Sequence, residues 1–81
     1  MTFKQEIVEK IKIYAEELFG ARKDELTADT RFKEDLKCKS LHLTQIATKL
    51  EDDYEVEVPY ADINRCKTFA DLADFMDKAL S

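Results

Sequence analysis

The 81-residue chain has one glycine, one proline and no tryptophan. So few turn-forming residues exclude collagen-like and loop-dominated scaffolds, and they argue against an all-β fold with many tight turns. Two cysteines, Cys38 and Cys66, are too few for a disulfide framework. There is a single histidine and no CxxC or clustered His/Cys spacing, so no metal site is expected. No 18-residue apolar run occurs, and Thr2-Phe3-Lys4-Gln5-Glu6 lacks the apolar stretch of a signal peptide. A reducing, cytoplasmic setting without membrane insertion is therefore expected.

Acidic residues number 18 and basic ones 13, for a formal net charge of −5. Charged residues make up 38% of the chain and apolar ones 44%, too apolar for a disordered chain and too charged for a membrane protein. One domain over residues 1–81 is expected. A chain this short buries only about 60% of the surface its unfolded form exposes. So thin a core rarely encloses a water-excluded substrate cavity, so a monomer presenting a surface or a tether is expected rather than an enzyme. Its acidity disfavours nucleic acid and anionic membranes and suits partners with basic patches.

Apolar residues set the helices. Phe3, Ile7, Val8, Ile11, Ala15, Leu18 and Phe19 recur at helical spacing, with Ile13 off the stripe. Thr2 followed three residues later by Gln5 predicts a capping box, and Gly20 a left-handed stop. From Ala21 to Lys39 the periodicity is lost, and Leu26, Phe32 and Leu36 read as isolated anchors of a long loop. A second helix is predicted from about Ser40 to Tyr54, its buried stripe formed by Leu43, Ile46, Ala47, Leu50 and Tyr54. Glu55-Val56-Glu57-Val58-Pro59 alternates like a strand but has no partner strand, so an extended connector with both valines inward is expected. Tyr60 to Arg65 predict a short helix. Thr68 and Asp71 predict a capped last helix reaching Leu80, with Phe69, Leu72, Ala73, Met76 and Leu80 facing in. The expected fold is all-α: a small bundle of three main helices and one short helix, with a long loop between helices 1 and 2.

Ser40 at the head of the second helix has two readings. Serine is a preferred N-cap. A helix N-terminus also favours an attached anion through its free N–H groups and dipole. Nucleophilic catalysis by Cys38, Lys39, Ser40 and His42 is disfavoured, because residues two apart on a helix do not face each other. Glu51, Asp52 and Asp53 could attract a divalent cation only weakly, since no 12-residue calcium loop is present. The two cysteines read as small apolar fillers or free thiols. Tyr14, Tyr54 and Tyr60 read as partly buried rings with wet hydroxyls.

The order of parts resembles the acyl carrier protein family over nearly the whole chain. The resemblance centres on Asp35-Leu36-Lys37-Cys38-Lys39-Ser40-Leu41, the helix to Tyr54, Val58-Pro59 and the Thr68-capped last helix. It implies that Ser40 accepts a 4′-phosphopantetheine arm from coenzyme A through a phosphodiester. It also implies that the arm's thiol carries acyl groups as thioesters. The implied partners are a phosphopantetheinyl transferase and acyl-transferring or condensing enzymes of fatty-acid, lipid or secondary-metabolite synthesis, with basic docking patches. Leu41, His42, Thr44, Gln45, Thr48, Glu51 and Asp52 would form the partner face. A peptidyl or aminoacyl carrier, or an unmodified interaction module, are the alternatives.

Two departures from the family pattern stand out. Lys39 replaces the aspartate of the usual Asp-Ser-Leu triplet, and Asp35 is the nearest upstream acid. Lys39 and Lys37 read either as phosphate contacts or as solvated lysines. Charge is also divided: residues 33–49 carry four lysines against Glu34 and Asp35, while residues 50–64 carry six acids and no Lys or Arg. Gln45 stands where a glutamate is common in the family. A specialised partner set is expected, against the plain reading of a solvated charge run.

Overall fold

The structure, a computed structural model, describes residues 2–80. Four helices follow one another: α1 Phe3–Phe19, α2 Ser40–Tyr54, α3 Tyr60–Arg65 and α4 Phe69–Leu80. A 3-10 turn covers Lys23–Glu25, and no strand is present among the described residues. The α1 helix packs chiefly along α4 and also against α2, while α3 closes onto α2. This is the expected bundle of three main helices and one short one, with the long loop after α1.

The helix ends follow from local chemistry. Thr2 Oγ1 accepts the Gln5 N–H at 3.2 Å, and Gln5 Oε1 accepts the Thr2 N–H at 2.8 Å. Each side chain thus satisfies a donor that the first helical turn leaves free. Gly20 stops α1 at φ 68°, where a β-carbon would be strained. At α4, Asp71 Oδ2 accepts the N–H groups of Lys67 and Thr68, and Thr68 Oγ1 accepts that of Asp71 at 3.1 Å. Aspartate therefore closes the box as fully as glutamine does at α1.

The core joins Ile7, Ile11, Tyr14 and Ala15 of α1 to Leu43, Ile46, Ala47 and Leu50 of α2. Ile63 of α3 and Phe69, Leu72, Ala73 and Met76 of α4 complete it. Each large apolar side chain so buried contributes about 1.5–3 kcal/mol. Leu80 departs from the expected inward set and is 40% exposed. Residues 78–80 are all exposed, so α4 outruns the core by its last turn. Ile13, off the stripe, is exposed, and Tyr54 is only half-buried, edge-on to Phe3 with centroids 5.7 Å apart.

The long loop is stitched to the head of α4. Phe69 N–H donates to the Thr30 carbonyl at 3.1 Å, and Ala70 N–H to the Ala28 carbonyl at 2.8 Å. The loop thereby supplies acceptors that the first turn of α4 lacks. Arg31 and Thr68 form an isolated antiparallel bridge. Phe32, fully buried, lies against Phe69 with centroids 5.0 Å apart. Leu26 is buried and Leu36 half-buried, so the three anchors hold. In the connector Val58 is buried and Val56 half-buried, and Val58 N–H donates to Glu51 Oε2 at 3.1 Å.

Tyr14 corrects the expectation of a wet hydroxyl. It is buried, and its O–H donates to the Asp53 carboxylate, tying α1 to α2. Burial and that bond push the phenol well above its ordinary value. Lys10 lies 3.8 Å from Asp53, and Lys49 sits 5.6 Å from the Tyr14 ring centroid. Cys38 and Cys66 are buried free thiols, each pushed up to about 11 chiefly by burial. They are both apolar fillers and free thiols.

Candidate functional site

The end of the long loop delivers Ser40. Cys38 is buried, and its N–H donates to the Phe32 carbonyl at 2.9 Å, so the chain is pinned two residues before Ser40. Just before it, Lys37 turns through φ 57°, a left-handed conformation costing a non-glycine residue about 1 kcal/mol. Lys39 and Ser40 then emerge exposed.

Lys39, at φ −98° and ψ 171°, is the N-cap of α2 and Ser40 is its first helical residue. The reading of Ser40 as N-cap is therefore off by one position. An ammonium has donors and no acceptor, so the lysine cannot cap. Only the return half of a capping box forms: Lys39 N–H donates to His42 Nδ1 at 3.0 Å. The first-turn N–H groups of this 15-residue helix have no side-chain cap. An exposed hydroxyl thus stands at an open, positive helix end.

Ser40 Oγ has a partner 20 residues away. The Tyr60 hydroxyl donates to it at 3.1 Å. Tyr60 opens α3 directly after Pro59, whose φ of −61° and ψ of 147° fix its entry. No local pattern signals this contact, because it depends on how α3 lies on α2.

The expected partner face is placed as follows. Leu41 is 66% exposed, an apolar side chain beside Ser40. Thr44, Gln45, Thr48 and Asp52 are exposed on α2. Thr44 Oγ1 donates to the Ser40 carbonyl and Thr48 Oγ1 to the Thr44 carbonyl, each at 2.9 Å. Their hydroxyl protons are used within the helix, and their oxygens remain open to accept. Glu51 is half-buried and clamps the connector. His42 is also half-buried rather than fully on the surface: its ring meets Phe19 edge-on with centroids 4.9 Å apart. Apolar stacking and the bond to Lys39 N–H together turn it inward.

The charges around Ser40 separate clearly. Asp35 accepts from the Arg31 backbone N–H at 2.8 Å and from its guanidinium at 3.1 Å. Those bonds hold its carboxyl below the usual range, and they commit it to Arg31. Asp35 thus faces Arg31 at the start of the segment that leads to Ser40. Arg31 also pairs with Glu34, and Lys49 with Glu17 at 3.5 Å. Lys37 and Lys39 have no ion pair among the described residues.

The pattern defining the family described as "Phosphopantetheine attachment site" matches residues 9–76. The chain belongs to this family. Membership implies a covalently attached 4′-phosphopantetheine prosthetic group. The acyl carrier protein of Rhodococcus erythropolis is 34% identical over 74 residues, which span 91% of this chain and 81% of that one. The acyl carrier protein of Borreliella burgdorferi is 32% identical over 73 residues, 90% of this chain and 91% of that one. A solved acyl carrier protein structure from Enterococcus faecalis superposes with a TM-score of 0.77 at 20% identity, covering 96% of this chain and 99% of that one. It shares the fold. The residues present fit the family's group. An accessible hydroxyl is the attachment point that a phosphodiester needs, and the uncapped helix end offers its anion free N–H donors.

Proposed function

We propose that the chain is an acyl carrier, with Ser40 as its covalent anchor. The observation that carries this reading is the exposed Ser40 hydroxyl at the uncapped head of α2. The prosthetic group supplies a terminal thiol on which acyl groups travel as thioesters. This chain's own residues hold and present it. The α2 helix fixes the attachment point rigidly, and its free first-turn N–H groups would stabilise the phosphate's negative charge. Lys37 and Lys39 add charge at the same end.

Partner enzymes are met along α2. Leu41, Thr44, Gln45 and Thr48 form an open face, and Asp52 with the acids of the connector lies beyond it. A phosphopantetheinyl transferase must reach Ser40, and acyl-handling enzymes must meet a surface that is basic at its head and acidic at its tail. That division favours specialised partners over a general fatty-acid synthase. The variant Lys39→Asp/Gln45→Glu should then be served better by a general synthase than the natural chain is. Equal service would count against specialisation.

Loading tests the anchor. Incubation with coenzyme A, Mg²⁺ and a phosphopantetheinyl transferase should add one group of about 340 Da to the intact chain. Ser40→Ala should gain nothing. A chain that stays bare with several such transferases is an unmodified interaction module instead.

A further inference from the structure

Tyr60 is more than half exposed at 56%, yet its hydroxyl is not given up to water alone. It donates to Ser40 Oγ at 3.1 Å. Nothing in the core requires a tyrosine there. The buried anchor of α3 is Ile63, and Val58 holds the connector that leads into it. A phenol standing on a rigid entry, aimed at the one hydroxyl proposed as the anchor, has a use beyond packing.

We propose that Tyr60 is the positioning residue for Ser40, before and after the arm is attached. This rests on the reading of Ser40 as the anchor. In the unmodified chain the Tyr60 O–H occupies one lone pair of Oγ and fixes the serine rotamer. The serine's own proton then points away from Tyr60, free for a base to take. In loading, Oγ forms a bond to the phosphorus of coenzyme A that bears the pantetheine. The bond from that phosphorus to adenosine 3′,5′-bisphosphate breaks, the bisphosphate leaves, and the serine proton passes to a base of the transferase. Afterwards Oγ is an ester oxygen and a poor acceptor, while the phosphoryl oxygens beside it are strong ones. The same Tyr60 O–H transfers to a phosphoryl oxygen. Lys37 and Lys39 supply undirected charge, whereas Tyr60 supplies a directed bond that limits how the arm swings.

The test is Tyr60→Phe, which removes one exposed oxygen and should leave the melting temperature within about 2 °C of wild type. In the unmodified chain, the Ser40 Hα–Hβ couplings should report one dominant rotamer in wild type and averaged rotamers in Tyr60→Phe. In the loaded chain, the phosphodiester ³¹P resonance should move and sharpen in the variant. Loading should slow about fivefold, the loss falling on kcat rather than KM. Unchanged couplings together with an unchanged ³¹P resonance overturn the proposal. If wild type is loaded normally and Tyr60→Phe is indistinguishable from it, only Tyr60 loses its role. A wild-type chain that is never loaded overturns the anchor reading and the phosphate half of this proposal with it. The couplings of the bare chain then decide the hydroxyl half alone.

Discussion

Lys39 occupies an N-cap whose geometry already suits a better residue. Its φ of −98° and ψ of 171° lie in the extended region that capping residues adopt. Lys39→Asp therefore needs no backbone movement. The carboxylate would accept one or two first-turn N–H groups of α2, a gain of about 1 kcal/mol. Exchanging a cation for an anion at the positive helix end adds about 0.3–1 kcal/mol. Together these amount to roughly 1.5 kcal/mol of added stability, or about 6–12 °C in melting temperature for a domain of this size. Thermal and urea unfolding measure it. Lys39→Met separates the parts, since it removes the charge and supplies no cap; it should recover only about 0.3–0.5 kcal/mol. Salt should shrink the charge contribution and leave the cap intact. If Lys39→Asp is no more stable than Lys39→Met, the head of α2 is not short of a cap, and the account of an open anion site there fails with it.

Tyr14→Phe should cost about 1 kcal/mol, less than a fully buried bond to a charge because the Asp53 side chain is 41% exposed. Unfolded, Tyr14 loses its proton near its ordinary value of 10.0, while the folded chain keeps it. Stability should therefore fall as pH rises past 10.0, and Tyr14→Phe should flatten that fall in alkaline urea titrations; parallel curves would contradict it. Cys38 and Cys66, with thiols near 11, should resist iodoacetamide at mildly alkaline pH until urea unfolds the chain. Rapid labelling of the folded chain would show that they are not sealed. Phe32→Ala should cost about 3–5 kcal/mol, because this loop residue is fully buried against Phe69. A urea midpoint close to wild type would mean that the loop does not help hold the fold.

What could be read from the chain alone was whatever sequence neighbours decide. The stripes of α1, α2 and α4, the Thr2 and Thr68 caps and the Gly20 stop all depend on residues within four positions of one another. Ser40 was visible for the same reason, as a hydroxyl at the start of a periodic segment. The contacts that escaped are long-range. Tyr14 finds Asp53 across 39 residues, and Tyr60 finds Ser40 across 20. Periodicity carries no information about which face of α3 meets α2. The one-residue difference between Ser40 as cap and Ser40 as first helical residue is also beyond composition, since the chain is pinned just upstream by the Cys38 N–H bond to the Phe32 carbonyl across the loop. His42 went inward because Phe19, at the far end of α1, offered it a ring. Leu80 had the right spacing but no core left to face.

Trypsin cleaves after Lys39 and Lys49, releasing residues 40–49 as one peptide with three hydroxyls, those of Ser40, Thr44 and Thr48. Fragmentation of that peptide from the loaded chain should place the added group of about 340 Da on Ser40. Finding it on Thr44, on Thr48 or outside this peptide, or finding the peptide unmodified after complete incubation, would contradict Ser40 as the anchor.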